Sequence, residues 1–290
     1  MEAHFKLVLM FCFIISMVNA QDTIPFSLGP DNRIYIKASV NDSKSLDFIF
    51  DTGANGMVVN TTVTNSKLNL KFDSSTQNTG ANGTIKQKVS TGNTLRVGKF
   101  ERKQENLLGI PYPETYYSFD GVIGYPFFED YLIEINYELQ QLVLHASKTT
   151  IKSIDSYEKL KMTMMGEVPY IDFSVFKDDK EVIFPAMIDT GFNGILIVYY
   201  KTVEKFNLKN RYKKIRESKS SGTDGTVIKS STVTIPKVML GKNIIENLPV
   251  NLNLTPTSTD FTSILGGKVL KKFNWIIDFK GNTVFIKTIN

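Results

Sequence analysis

Cysteine is nearly absent from this chain. Its single copy, Cys12, lies within the first twenty residues, so everything after them is free of thiols. That excludes disulfides, thiolate metal sites and a cysteine nucleophile from the remainder. Histidine is almost as scarce, with only His4 and His145. A histidine-rich metal centre is thereby excluded, and a Ser-His-Asp triad would have to rest on His145 alone. A lone histidine after Leu142-Val143-Leu144 at a strand end is given no role. No later apolar run reaches the length of about 20 residues that crosses a bilayer. Charge of neither sign dominates, since 34 Lys and Arg face 29 Asp and Glu for a net of +5. The excess is spread over separate lysines without interleaved aromatics, so no nucleic-acid partner is expected.

What is present begins with residues 1–20, where Lys6 precedes an apolar stretch from Leu7 to Val18 and Val18-Asn19-Ala20 precedes Gln21. This is the pattern of a cleaved signal peptide, and its apolar stretch is short for a membrane anchor. Phe11 before Cys12 occupies the place where a lipidated signal carries a small residue, so no lipid anchor is expected. Export without disulfides points to a bacterial-type periplasmic or secreted protein. The sequons at Asn41, Asn60 and Asn82 then read as incidental surface asparagines. At 290 residues, with 42% apolar and 22% charged side chains, the chain has the composition of a globular protein.

The strongest internal signal is a repeat. Asp51-Thr52-Gly53-Ala54-Asn55-Gly56 returns as Asp189-Thr190-Gly191-Phe192-Asn193-Gly194, at 189 − 51 = 138 residues. Each copy follows an apolar strand, Phe48-Ile49-Phe50 or Ala186-Met187-Ile188. Further on, Gly80-Ala81-Asn82-Gly83 matches Gly222-Thr223-Asp224-Gly225, and Val122-Ile123-Gly124 matches Ile264-Leu265-Gly266, both at a spacing of 142. Two copies at such a period imply a duplicated lobe rather than a solenoid. The expected organisation is a signal peptide at 1–20, a first lobe at 21–147, a polar linker at 148–162 and a second lobe at 163–290. Within each lobe the pattern is β: Ile34–Val40, Tyr131–Ile135 and Thr283–Lys287 are rich in β-branched and aromatic residues, punctuated by Gly, Asn and Asp. Helix is expected only in short pieces, 61–68 and 199–206.

A strand ending in Asp before a glycine turn holds a carboxylate where backbone approaches closely. If two lobes pack about a pseudo-twofold axis, Asp51 and Asp189 meet, cannot both ionise cheaply and share one proton. One is then a base and the other an acid. Ordinary turn chemistry also places Asp before Gly, and a Gly-containing hairpin needs no function.

The two Asp-Thr-Gly motifs, each followed late in its lobe by two apolar residues and a glycine, resemble the pepsin and retropepsin superfamily of aspartic proteases across nearly the whole mature chain. The resemblance implies an all-β, minor-α fold of the bilobal pepsin-like kind, two retropepsin-like β-barrel lobes around a central cleft. It implies a peptide or protein substrate, catalysis by Asp51 and Asp189, and no metal or cofactor. Thr52 and Thr190 would brace the dyad across the lobe interface, with Gly53 and Gly191 supplying the turns. Gly80, Ala81, Asn82 and Gly83 would form a flap, and Gly222, Thr223, Asp224 and Gly225 a second one. Ala54 is the retropepsin choice, whereas Phe192 departs from both patterns. It would line a pocket or leave Asp189 short of a hydrogen-bond partner. With 51 − 20 = 31 residues between the cleavage site and Asp51, no inhibitory pro-segment is expected, and two lobes in one chain make a monomer. The competing reading is a pseudo-protease that holds extended peptides without cutting them; a structural envelope protein is the third.

Overall fold

Strict alternation shapes the first long strand. In Ile34–Val40 the side chains of Ile34, Ile36, Ala38 and Val40 are buried while Lys37 points to solvent, as a period of two dictates. The computed structural model describes residues 22–80, 83–113, 118–177, 180–221, 227–257 and 261–289. Residues 1–21, Ala81 and Asn82, and Gly222 to Thr226 lie outside them.

The described chain is mostly β-strand with few helices. Strands stand at Ile34–Val40, Leu132–Asn136 and Thr283–Thr288, and the two expected helices are short ones at Thr61–Thr64 and Tyr200–Lys205. Asn60 caps the first of these, its side chain accepting from the Thr62 N–H. Because Asn60 is fully buried and also donates to the Phe119 carbonyl, it is no surface sequon.

The repeat reappears as topology. An eight-stranded sheet runs through Ser27–Leu28, Ile34–Val40, Leu46–Asp51, Gly121–Gly124, Met57–Asn60, Phe100–Ile110, Thr84–Val97 and Ser74–Thr79. In the second half Val168–Lys177, Lys180–Asp189, Ser263–Gly266, Leu196–Val198, Asn243–Asn253, Val227–Leu240 and Lys214–Ser221 follow in the corresponding order. Both halves add the same closing pair, Ser39 opposite Arg96 and Ser174 opposite Met239. The second set belongs to a thirteen-stranded sheet that also takes in Leu132–Asn136 and Gln141–His145 of the first half, through Ile133 opposite Ile277 and Ile135 opposite Trp275.

The expected linker 148–162 is a correction. Only short 3-10 turns, Lys148–Thr150 and Ile154–Ser156, intervene before Glu158–Met165 pairs with Thr283–Thr288 and Val168–Lys177. Leu160, Met162 and Met164 turn inward between exposed Lys159, Lys161 and Thr163. Lysines on the outer face of that strand disguise its period. His145 is also more than a strand end, since it is buried and lies 2.8 Å from Glu134 on the neighbouring strand.

The apolar interior of the described residues has a main cluster drawing on both halves and three smaller ones, two of which mirror each other. Phe48 and Phe50 enter the main cluster while Ile49 joins Val122 and Tyr35 in a side cluster. In the second half Ala186 and Ile188 enter the main cluster while Met187 joins Ile264 and Tyr170. Residues two apart share a strand face, so each side cluster lies on the face that also carries the strand-terminal Asp.

Candidate active site

Asp51 ends the strand Leu46–Asp51 and Asp189 ends Lys180–Asp189; each is paired in parallel with a strand ending in glycine, Asp51 opposite Gly124 and Asp189 opposite Gly266. The turns that follow are built alike. Tyr125 N–H donates to the Ala54 carbonyl at 3.2 Å, and Gly267 N–H donates to the Phe192 carbonyl at 2.8 Å. These equivalent bonds deliver the two carboxyls to one place, where they hydrogen-bond each other.

Backbone packs tightly around the pair. A methyl built on Gly53 would stand 2.8 Å from the Asp189 Cγ, and one on Gly191 would overlap Asp51 Oδ2. Each glycine is thus required by the acid of the opposite half rather than by its own turn. Gly53 N–H donates to Asp51 Oδ1 at 2.8 Å, and Phe192 N–H donates to Asp189 Oδ1 at 2.8 Å.

Beneath the carboxyls the two threonines lock the halves together. Thr52 Oγ1 donates to the Ile188 carbonyl at 2.7 Å and accepts from Thr190 N–H at 3.1 Å. Thr190 Oγ1 reciprocates, donating to the Phe50 carbonyl at 2.8 Å and accepting from Thr52 N–H at 3.0 Å. Both threonines are buried, where such bonds are not exchanged with water.

Burial pushes the Asp189 carboxyl well above the ordinary carboxylate range, and the Asp51 charge and their mutual hydrogen bond push it the same way. Burial also raises Asp51, but the Gly53 N–H, the Asp189 carboxyl, the Arg33 charge and the Gly191 N–H hold it back. Both residues nonetheless keep part of their surface open to solvent. The arrangement sets two largely buried, interacting carboxyls side by side, each still partly open to solvent.

Residues 36–127 match the family model described as aspartyl protease. That match supports the aspartic protease superfamily. The match spans Asp51, Thr52, Gly53 and the strand Gly121–Gly124; the second motif lies beyond it, joined to the first by the repeated strand order. No curated protein matches the chain.

The six motif residues Asp51, Thr52, Gly53, Asp189, Thr190 and Gly191 come together. Gly80 and Gly83 close a hairpin, with Gly80 N–H donating to the Gly83 carbonyl at 2.8 Å between Ser74–Thr79 and Thr84–Val97. The corresponding hairpin of the second half, Lys214–Ser221 with Val227–Leu240, is in register from Ser221 opposite Val227. Ala54 packs on the side cluster beside Asp51. Phe192 packs on the cluster beside Asp189, its ring so close over Gly194 and Gly266 that a side chain at either would overlap it. Asp189 is not left short of a donor, because its bond comes from the Phe192 backbone and is indifferent to the side chain. A hollow of about 130 Å³ lined by Tyr199, Lys201 and Phe261 borders the same cluster.

One residue of the site went unnoticed in the sequence. Arg33 is buried and its Nε donates to the Gly191 carbonyl at 2.7 Å, while Nη1 pairs with Asp31 at 2.9 Å. Its only sequence signal is an Asp-x-Arg-x-Tyr spacing ahead of the first strand, which becomes informative once Tyr35 is seen donating to the same Asp31 oxygen at 2.9 Å.

The packing around Gly191 makes a sharp comparison possible. Gly191→Ala is expected to lower peptide cleavage on the order of 100-fold, because it displaces the Asp51 carboxyl, and to cost about 1–3 kcal/mol in overpacking. Gly56→Ala, in the same type of turn, meets nothing within 4 Å and should be close to wild type. Equal behaviour of the two in thermal unfolding and peptide hydrolysis would contradict the placement.

Proposed function

We propose that this protein is an exported aspartic endopeptidase in which Asp51 and Asp189 share a proton and activate a water molecule. One observation carries the reading: two acids from separate copies of one motif face each other, each hydrogen-bonded by backbone and each partly open to solvent. The ionised carboxylate takes a proton as water oxygen bonds to the peptide carbonyl carbon, and the protonated one donates to the developing oxyanion. Collapse of the tetrahedral species breaks the C–N bond, and the acid formed in the first step passes its proton to the leaving amine.

In this proposal the halves act as two pepsin-like lobes about a pseudo-twofold axis, 21–147 and a second beginning at Glu158, with an extended peptide bound between them. The mirrored side clusters beside the acids would receive apolar side chains of the substrate. The two hairpins, Ser74–Thr79 with Thr84–Val97 and Lys214–Ser221 with Val227–Leu240, would close as flaps. Residues 1–20 would direct export to the periplasm or exterior, and the chain would act as a monomer without a zymogen stage or added cofactor.

The test is incubation of the purified protein with a peptide library from acidic to neutral pH. Cleavage at interior bonds, blocked by a statine-like transition-state analogue, is expected. Binding of peptides or analogue without hydrolysis by wild type would replace the proposal with the pseudo-protease reading.

A further inference from the structure

We infer that Arg33 is a positioning residue that assigns the two roles in the dyad, holding Asp51 as the ionised base and leaving the proton on Asp189. The inference rests on the protease reading and deepens it.

The dyad sits in a frame that is symmetric in its backbone but not in its charges. Tyr35 stands opposite Ile49, two residues before Asp51, and Tyr170 stands opposite Met187, two residues before Asp189. Counting back from this register, Val168 occupies the place of Arg33 and Gly166 the place of Asp31. The second half therefore has no counterpart of the cation. In a symmetric pair of acids the proton has no preferred side; one guanidinium placed off the axis removes that degeneracy.

Arg33 is well placed to do so. It anchors the Gly191 carbonyl at 2.7 Å, and the same turn supplies the Gly191 N–H to Asp51 and the Phe192 N–H to Asp189 at 2.8 Å. Its charge also acts directly on the Asp51 carboxyl. Asp31 holds it in place through the 2.9 Å ion pair and a 3.2 Å bond from its own backbone N–H. Among the described residues, the charged and titratable groups that bear on the dyad are Arg33, held by Asp31 with Tyr35, and Tyr170. The Tyr35 hydroxyl is pushed up to about 12 by burial and its bond to Asp31, and Tyr170 is raised by burial and by the Asp189 charge. Both phenols therefore stay neutral over the range in which the acids titrate, leaving the Arg33 and Asp31 pair as the source of asymmetry.

Full-length wild type, Arg33→Met, Arg33→Lys and Asp31→Asn are compared in two measurements. The first is the pH dependence of kcat/KM on a cleaved peptide; the second is ¹³C NMR titration of the aspartate carboxyl carbons. The lower-titrating carboxyl of the pair is expected to be Asp51. In Arg33→Met the acidic limb of the activity profile and the Asp51 titration should both move up by about one pH unit, a tenfold change in proton concentration. Arg33→Lys keeps the charge and should recover most of that shift while still losing kcat through the missing bond to Gly191. Asp31→Asn removes the opposing charge and should move the acidic limb the other way. A merely structural arginine would change stability and leave these profiles superimposable.

A folded Arg33→Met, or Asp31→Asn if the former does not fold, whose profiles overlay wild type would overturn the inference, as would assignment of the lower titration to Asp189. If wild type cleaves no peptide, the protease reading fails, while the NMR titration still decides the role of Arg33.

Discussion

Replacing Asp189 by Asn is expected to abolish peptide cleavage and, at neutral pH, to make the protein harder to melt. The first effect follows from the proposed division of labour between the acids: without a carboxyl to share the proton, the oxyanion would lose its donor acid. A loss on the order of 10³-fold or more is expected, and the same for Asp51→Asn. The second effect follows from where the acids are held. The Asp189 carboxyl is raised well above its ordinary range by burial and by Asp51, so ionising it costs more in the folded chain than in the unfolded one. The linkage sign is then fixed. Below the ordinary carboxylate range both states are protonated and the full stability is present; it is lost as pH rises through the elevated folded value. The amide matches the acid in shape and carries no charge, so the variant escapes that penalty. Its melting temperature should exceed wild type near neutrality and converge with it, or fall below, in acid. Each kcal/mol relieved corresponds to about 2–4 °C in a large single domain. A variant that still cleaves would remove the shared-proton mechanism, and one less stable than wild type at neutral pH would show that Asp189 is not held as described.

The largest loss of stability is expected from Thr52→Val. Valine keeps the shape of threonine but takes away both bonds of the hydroxyl, leaving the Ile188 carbonyl and the Thr190 N–H without these partners in a buried position. Unmade buried bonds cost about 1–3 kcal/mol each, so roughly 2–5 kcal/mol is expected for the pair. Thr190→Val should match it, because the Phe50 carbonyl and Thr52 N–H are served in the same way. Thr52→Ser retains the hydroxyl and should stay much closer to wild type. Urea unfolding monitored by Trp275 fluorescence measures the difference. A Thr52→Val variant within about 0.5 kcal/mol of wild type would mean that the reciprocal threonine lattice does not hold the halves together. Cleavage should fall in parallel, since the lattice lies one residue from each acid.

The elements that announced themselves were those with a local signature. Ile34–Val40 alternates cleanly, and the repeated Asp-Thr-Gly and apolar-apolar-glycine triplets mark positions whose chemistry is written in consecutive residues. Residues 158–162 read as linker because the outward face of Glu158–Met165 is lysine-rich, and the partners that make it a strand, Thr283–Thr288 and Val168–Lys177, are supplied partly from the end of the chain. His145 looked idle because its partner Glu134 is eleven residues away and adjacent only through strand pairing. Arg33 was invisible for the same reason on a larger scale, its carbonyl acceptor being 158 residues distant.

By itself, then, the amino-acid order determined that this is a duplicated β protein with two equivalent acidic turns, because period-two burial and turn-forming glycines act over a few neighbouring residues. Tertiary structure alone decided that those turns meet, that each glycine makes room for the other half's acid, and that a buried arginine from the first half reaches the second turn. Such facts depend on distances between segments more than a hundred residues apart, which packing sets and local sequence does not encode.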